Sequence, residues 1–216
     1  TYDITPPTVT INQAVAQADP TNASPIDFTV VFSEPVIGFT NTDVTLSGTS
    51  GATTVVVTGA GPTYNVSVSG MTGSGTVIVS IAGGVVTDVA GNNNTASTST
   101  DNTVIFDNTA LTVTINQAAA QVDPTNASPI NFTVVFSKPV TGFTNADVLL
   151  SGTAGATTAV VTGAGANYNV AVSGMVGNGT VVATIPAGVA QDVSNNLNTA
   201  STSTDNIVTY DNAAPT

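Results

Sequence analysis

The stretch Ile26-Asp27-Phe28-Thr29-Val30-Val31-Phe32 decides the fold, because its large apolar side chains Ile26, Phe28, Val30 and Phe32 fall on every second residue. A period of two puts all four on one face of an extended strand and turns Asp27, Thr29 and Val31 the other way. The same alternation recurs further along. Tyr64, Val66 and Val68 alternate with Asn65, Ser67 and Ser69, while Val77, Val79 and Ile81 alternate with Thr76, Ile78 and Ser80. Further strands are expected over residues 8–12, 44–47, 53–58 and 102–106, which makes seven. Between them stand turn clusters such as Asp19-Pro20-Thr21-Asn22, Gly59-Ala60-Gly61-Pro62, Gly73-Ser74-Gly75 and Gly91-Asn92-Asn93-Asn94. Helical periodicity nowhere outlasts a turn, and Thr, Val, Gly and Asn are weak helix formers.

Short strands with one apolar face each are best buried by stacking two antiparallel sheets, so the expected fold is all-β: tandem immunoglobulin-like β-sandwiches of about seven antiparallel strands each. "Tandem" follows from an internal repeat. The chain copies itself after 104 residues without insertion or deletion, and 74 of the 104 aligned positions are identical. Its last eight residues, Thr209 to Thr216 (TYDNAAPT), return to the text of the first eight, TYDITPPT, as in a window on a longer array. The expected organisation is a joint from a preceding repeat over 1–7, repeat one over 8–107, repeat two over 108–211 and the start of a following repeat over 212–216. A β-solenoid would show a period near ~20 residues, and the only clear period here is 104. A unit of this size folds without disulfides: about twenty large apolar side chains, each worth roughly 1.5 to 3 kcal/mol when fully buried, supply its core. The chain has no Cys.

Only Lys138 is basic against 13 acidic side chains, for a net charge of −12. Phosphate-bearing partners demand Lys and Arg, so such a surface disfavours anionic lipid, and nucleic acid is effectively excluded. No apolar run suffices for a membrane span, no membrane insertion is expected in this segment, and any export signal or anchor is expected outside it. His and Cys are absent, which removes the common nucleophile–base pairs and zinc sites. Serine chemistry would then need a Lys, and Lys138 stands where unit one has Glu34. A self-formed Lys–Asn crosslink could exist in at most one unit for the same reason. Trp is missing, so paired carboxylates lack the aromatic platform that glycoside hydrolysis wants. The chain is read as no enzyme. Asn-x-Ser/Thr sequons at Asn22, Asn65, Asn93, Asn126, Asn131 and Asn178 are the background of an Asn-, Thr- and Ser-rich composition; only Asn22 recurs, at Asn126.

The run Phe32-Ser33-Glu34-Pro35-Val36-Ile37-Gly38-Phe39, then Asp43-Val44-Thr45-Leu46-Ser47-Gly48, Gly75-Thr76-Val77 and Asp88-Val89-Ala90-Gly91-Asn92 resembles the bacterial Ig-like repeats of large secreted adhesins and cell-surface proteins. Unit two departs from it at Lys138 and at Val193-Ser194-Asn195-Asn196. The resemblance implies an extracellular, bacterial cell-surface protein that spaces a binding tip from the cell or builds matrix.

With alternating strand directions, the second-to-third, fourth-to-fifth and sixth-to-seventh connections gather at the upstream pole of each unit. Asp107 is then expected to face Asp147 and Asp192, and Asp3 to face Asp43 and Asp88. Carboxylates beside Asn side chains and backbone carbonyls suit Ca²⁺, a hard cation that takes about 6 to 8 oxygens. Asp3, Asp43, Asp88, Asp107, Asp147 and Asp192 are therefore the candidate metal ligands, with Ca²⁺ the candidate cofactor. Asp and Asn also favour turns for reasons of their own. Repetition does not separate the two readings. Five of the seven acidic positions in unit one recur (Asp3, Asp19, Asp43, Asp88, Asp101), whereas Asp27 becomes Asn131 and Glu34 becomes Lys138, and 74 of 104 is the same fraction. No EF-hand or glycine-rich nonapeptide is present. Asp19-Pro20-Thr21-Asn22 and its copy at Asp123 are read as turns.

The leading functional expectation is an extended stalk or filament whose partners are neighbouring repeats of the same protein. A related alternative has residues 1–12 complete a sheet of a neighbouring subunit, assembling a fibre by donor-strand addition. That alternative fails if residues 8–12 pair with Ile26–Phe32 of their own unit. From another class comes a carbohydrate- or ice-binding module using Thr-rich strands such as residues 95–103.

Overall fold

The computed structural model describes residues 2–214. The chain divides into two compact units, Thr1–Thr109 and Ala110–Thr216. In unit one the strands are β1 (Val9–Gln13), β2 (Ile26–Phe32), β3 (Val44–Ser47), β4 (Thr54–Ala60), β5 (Thr63–Ser69), β6 (Gly75–Ile81) and β7 (Thr103–Phe106). They form a four-stranded sheet of order β1-β2-β5-β4 and a three-stranded sheet of order β3-β6-β7. Every ladder is antiparallel. This is the four-plus-three strand order of the immunoglobulin constant-type sandwich. Unit two repeats it with β8 (Val113–Gln117), β9 (Ile130–Phe136), β10 (Leu149–Ser151), β11 (Thr158–Ala164), β12 (Asn167–Ser173), β13 (Gly179–Thr184) and β14 (Ile207–Tyr210), in the orders β8-β9-β12-β11 and β10-β13-β14.

β2 earns its central place through its pattern: Ile26, Phe28, Val30 and Phe32 are at most 2% exposed. Val66 and Val68 of β5 and Val77, Val79 and Ile81 of β6 close on them from the same core. An aromatic trio, Phe32, Phe39 and Tyr64, packs edge to face with centroids 5.0 to 6.0 Å apart. Phe136, Phe143 and Tyr168 repeat the trio in unit two. Such pairs add about 0.5–1.5 kcal/mol each beyond the area they bury.

β1 pairs with its own β2, from Val9 opposite Phe32 to Gln13 opposite Phe28. Strand one thus occupies the place whose vacancy donor-strand assembly would require. The Thr-rich run is corrected by the structure. Residues 95–102 are not a strand; they form a strap along one side of the sandwich. On one flank the strap meets β1, with Thr98 N donating to the Val9 carbonyl and Ile11 N donating to Ser99 Oγ. On the other it meets β6, with Ser97 N donating to the Ile81 carbonyl and Ile81 N donating to Ser97 Oγ. Asn12 Oδ1 accepts the Thr100 and Asp101 amides. Period two is present in the strap, but its inward positions carry hydroxyls that satisfy backbone groups of both sheets. Ser201, Ser203 and Asn116 do the same in unit two. Across the sandwich, Asp19 Oδ1 accepts the Ile105 amide and Thr21 bridges Phe106, so the turn expected at Asp19-Pro20 also lines the border of β7.

Candidate functional site

The upstream pole of unit one collects side chains from three segments. Asp3 lies in the entering segment, where its Oδ1 accepts the Thr5 amide at 2.9 Å. Glu34 follows the end of β2, and Asp88 sits in the β6–β7 connection. One carboxylate oxygen from each of Asp3, Glu34 and Asp88 lies within 4.8 Å of the other two. Asn92 holds the group together: its amide and Nδ2 donate to Asp88 Oδ1 and Oδ2 at 2.8 and 2.9 Å, and Nδ2 also reaches the Asp3 carbonyl at 3.2 Å. Asp88 is 3% exposed. The hydrogen bond from the Asn92 side chain holds the Asp88 carboxyl below its ordinary range against the opposing effect of burial, with loop amides adding to it. Glu34 is pushed up, first by desolvation and then by the charges of Asp88 and Asp3. Three carboxylates, one of them acidified and one resisting ionisation, form an oxygen-only donor set that a hard divalent cation fits.

Unit two builds the same pole differently. Lys138 stands in the place of Glu34, and its Nζ lies 2.9 Å from Asp192 Oδ2. The Asp192 side chain is 2% exposed and that of Lys138 26%. Asp192 also accepts the Ser194 and Asn196 amides at 2.9 Å and the Asn196 Nδ2 at 3.1 Å. Burial alone would raise the Asp192 carboxyl; the Lys138 ammonium and Asn196 outweigh it and bring it below the ordinary value. The copy thus supplies a cation of its own where unit one turns a third carboxylate.

The structure brings Asp3 and Asp88 together as expected and adds Glu34. Asp43 is not one of the three: its Oδ2 accepts the Thr40 amide and Oγ1 at 2.7 and 2.9 Å, opening the 3-10 turn Asn41–Asp43. Asp147 serves the turn Asn145–Asp147 in the same way through Thr144. Asp107 Oδ1 accepts the Thr109 amide at 2.9 Å and the Ser74 hydroxyl at 3.2 Å, tying the exit of unit one to its own β5–β6 turn. Glu34 escaped the reading of the sequence although the topology contains it, since it opens the second-to-third connection at the pole of Asp88. The Asp27 carboxylate lies elsewhere, on the outer face of the larger sheet, where Ser67 Oγ donates to it at 2.5 Å.

No helix of the described residues is long and apolar enough to cross a membrane. Residues 3–105 match the family model of the bacterial Ig-like domain. No curated protein matches the chain.

Proposed function

We propose that this repeat module serves as an extended extracellular stalk or filament segment of an adhesin or cell-surface fibre, because residues 3–105 match the family model of the bacterial Ig-like domain and unit two repeats their fold. The observation that carries the reading is the covalent succession of two sandwiches of identical strand order with only residues 107–112 between β7 and β8. The exit of unit one supports it, since the Ser74 hydroxyl is within 3.2 Å of Asp107 Oδ1, Asn108 Oδ1 and Thr109 Oγ1 and accepts the Asn108 amide. A spacer needs this: segments that leave each domain with little slack. On this reading the module turns over no substrate, and its partners are neighbouring repeats.

We further assign Ca²⁺ to the Asp3–Glu34–Asp88 cluster, where it would cancel the mutual repulsion of three carboxylates and fasten the entering segment to the domain. Small-angle scattering on two- and four-unit chains tests the stalk: length should grow by the same increment per unit, and compact particles would defeat it. A melt with Ca²⁺ and with chelator tests the ion. A cation bound only to the folded protein at a hundred times its dissociation constant adds about 2.7 kcal/mol; an unchanged melt removes it.

A further inference from the structure

Each unit fastens its exit with one side chain of the turn that opens its sixth strand. In unit one this is Ser74; in unit two it is Asn178, whose Oδ1 accepts the Asn212 amide at 2.8 Å and whose Nδ2 donates to Asp211 Oδ1 at 2.8 Å. Asn178 is exposed, and Gly179 after it makes the only Asn-Gly pair in the sequence. We propose that Asn178 is a self-modification site, a spontaneously deamidating asparagine whose conversion releases the exit segment of unit two.

The chemistry needs only water. The Gly179 amide nitrogen attacks Asn178 Cγ, forming an N–C bond; the Cγ–Nδ2 bond breaks, and the displaced amide group leaves as ammonia with the proton that Gly179 gives up. Water then opens the five-membered imide at either carbonyl, leaving Asp, or isoaspartate with an extra methylene in the backbone. A glycine on the C-terminal side offers the least steric obstruction to this ring closure. Here that glycine is obligatory. Gly179 has φ +149°, and a Cβ on it would overlap Thr153 Oγ1 and come within 2.9 Å of Ala154 N. The Asn212 N–H on Oδ1 polarises the carbonyl under attack in the manner of an oxyanion donor. Gly179 is the first residue of β13 and pairs with Tyr210, so the reaction passes through opening of that terminal rung, the part of a ladder that frays first.

Conversion has a defined consequence. The new carboxylate loses the Nδ2 donor that Asp211 accepted and sets a second negative charge against it, and the isoaspartate form also shifts the entry to β13. Unit one cannot follow this path, because Ser74 has no amide to lose. The inference goes beyond the stalk reading and stands or falls without it.

The test incubates the intact 216-residue chain in mildly alkaline buffer, maps every asparagine by peptide mass spectrometry with isoaspartate labelling, and follows amide exchange. Asn178 is expected to convert ahead of every other asparagine, chiefly to isoaspartate. The aged chain should lose exchange protection at the Asn212 and Ala213 amides while Asn108 and Thr109 keep theirs. N178S, which installs the side chain of unit one, should abolish both changes. The proposal is overturned if Asn178 survives conditions that fully convert a peptide of residues 175–181, or if the converted chain protects residues 212 and 213 as before.

Discussion

Unit one closes its upstream pole around three carboxylates, and unit two closes the same pole around an ammonium–carboxylate pair. The scaffolds beneath are the same in strand order, aromatic trio and strap, so the difference at this pole lies in Glu34 against Lys138 and in the loop change from Ala90-Gly91 to Ser194-Asn195. A buried loop carboxylate, Asp88 or Asp192, is held by the Asn four residues on in both copies. What varies is its neighbour: the Lys138 ammonium beside Asp192 in unit two, and the further carboxylates of Asp3 and Glu34 beside Asp88 in unit one. One fold thus carries two electrostatically opposite poles, and the proposed assignment of Ca²⁺ applies to the pole of unit one alone.

The harshest way to break the comparison is K138E. Removing one partner of a buried ion pair costs roughly 3–5 kcal/mol, and the partial exposure of Lys138 brings the expected loss to about 2–3 kcal/mol. Exchange of the unit-two core amides in chelator measures it. Stability unchanged in unit two would show that the pair is ornamental. Next comes the response to Ca²⁺ itself, which should protect unit-one core amides and leave unit two unmoved. E34K should abolish the response in unit one by installing the internal cation, and a response that survives E34K would place the ion elsewhere.

A smaller contrast lies in the core. Ser50 is 1% exposed and its Oγ has no hydrogen-bond partner, whereas the same position in unit two is Ala154. A buried hydroxyl without a partner costs about 1–3 kcal/mol. S50A is therefore expected to stabilise unit one by roughly 1 kcal/mol, and A154S to weaken unit two by a similar amount, both read from denaturant midpoints.

The pH dependence sharpens the contrast with the gentlest perturbation. Glu34 is raised in the folded state, so its charged form penalises unit one above that folded value, and the penalty is relieved as pH falls toward the ordinary 4.5. Asp88 and Asp192 are lowered, so each contributes stability that is full above the ordinary 3.8 and lost as pH falls through the folded value. Between neutrality and pH 4.5, unit one should gain protection relative to unit two; below 3.8 both should weaken. Parallel behaviour from neutrality downward would mean that Glu34 feels neither Asp3 nor Asp88.

The strands were legible because each is an alternation one or two residues from its observed ends: residues 8–12 against Val9–Gln13, 53–58 against Thr54–Ala60. Burial enforces period two, and sequence shows burial. The strap is hidden in the sequence because Ser97 and Ser99 alternate as strand residues do, while their partners are backbone amides of two different sheets, which no local pattern encodes. Asp43 resembles a ligand by composition, yet Thr40-Asn41-Thr42-Asp43 has the spacing of a capping box, with the acid three residues after the Thr. Repetition alone gives the exchange of Glu34 for Lys138 no special weight. In space it sets an ammonium against Asp192 and a carboxylate beside Asp88, a placement that only the fold reveals.

Natural sheets commonly protect their outer strands with lysines, a means closed to a chain with a single basic residue. Here the strap's hydroxyls cover β1, and Asn41 Oδ1 caps the Val57 amide on the flank of β4 at 2.7 Å, as Asn145 does for Val161. Neutral guards have no charge to titrate and nothing for salt to screen. At these two edges a strand from a neighbouring module meets the same obstacle in brine as in fresh water, even though salt screens the repulsion that comes from the chain's net charge of −12.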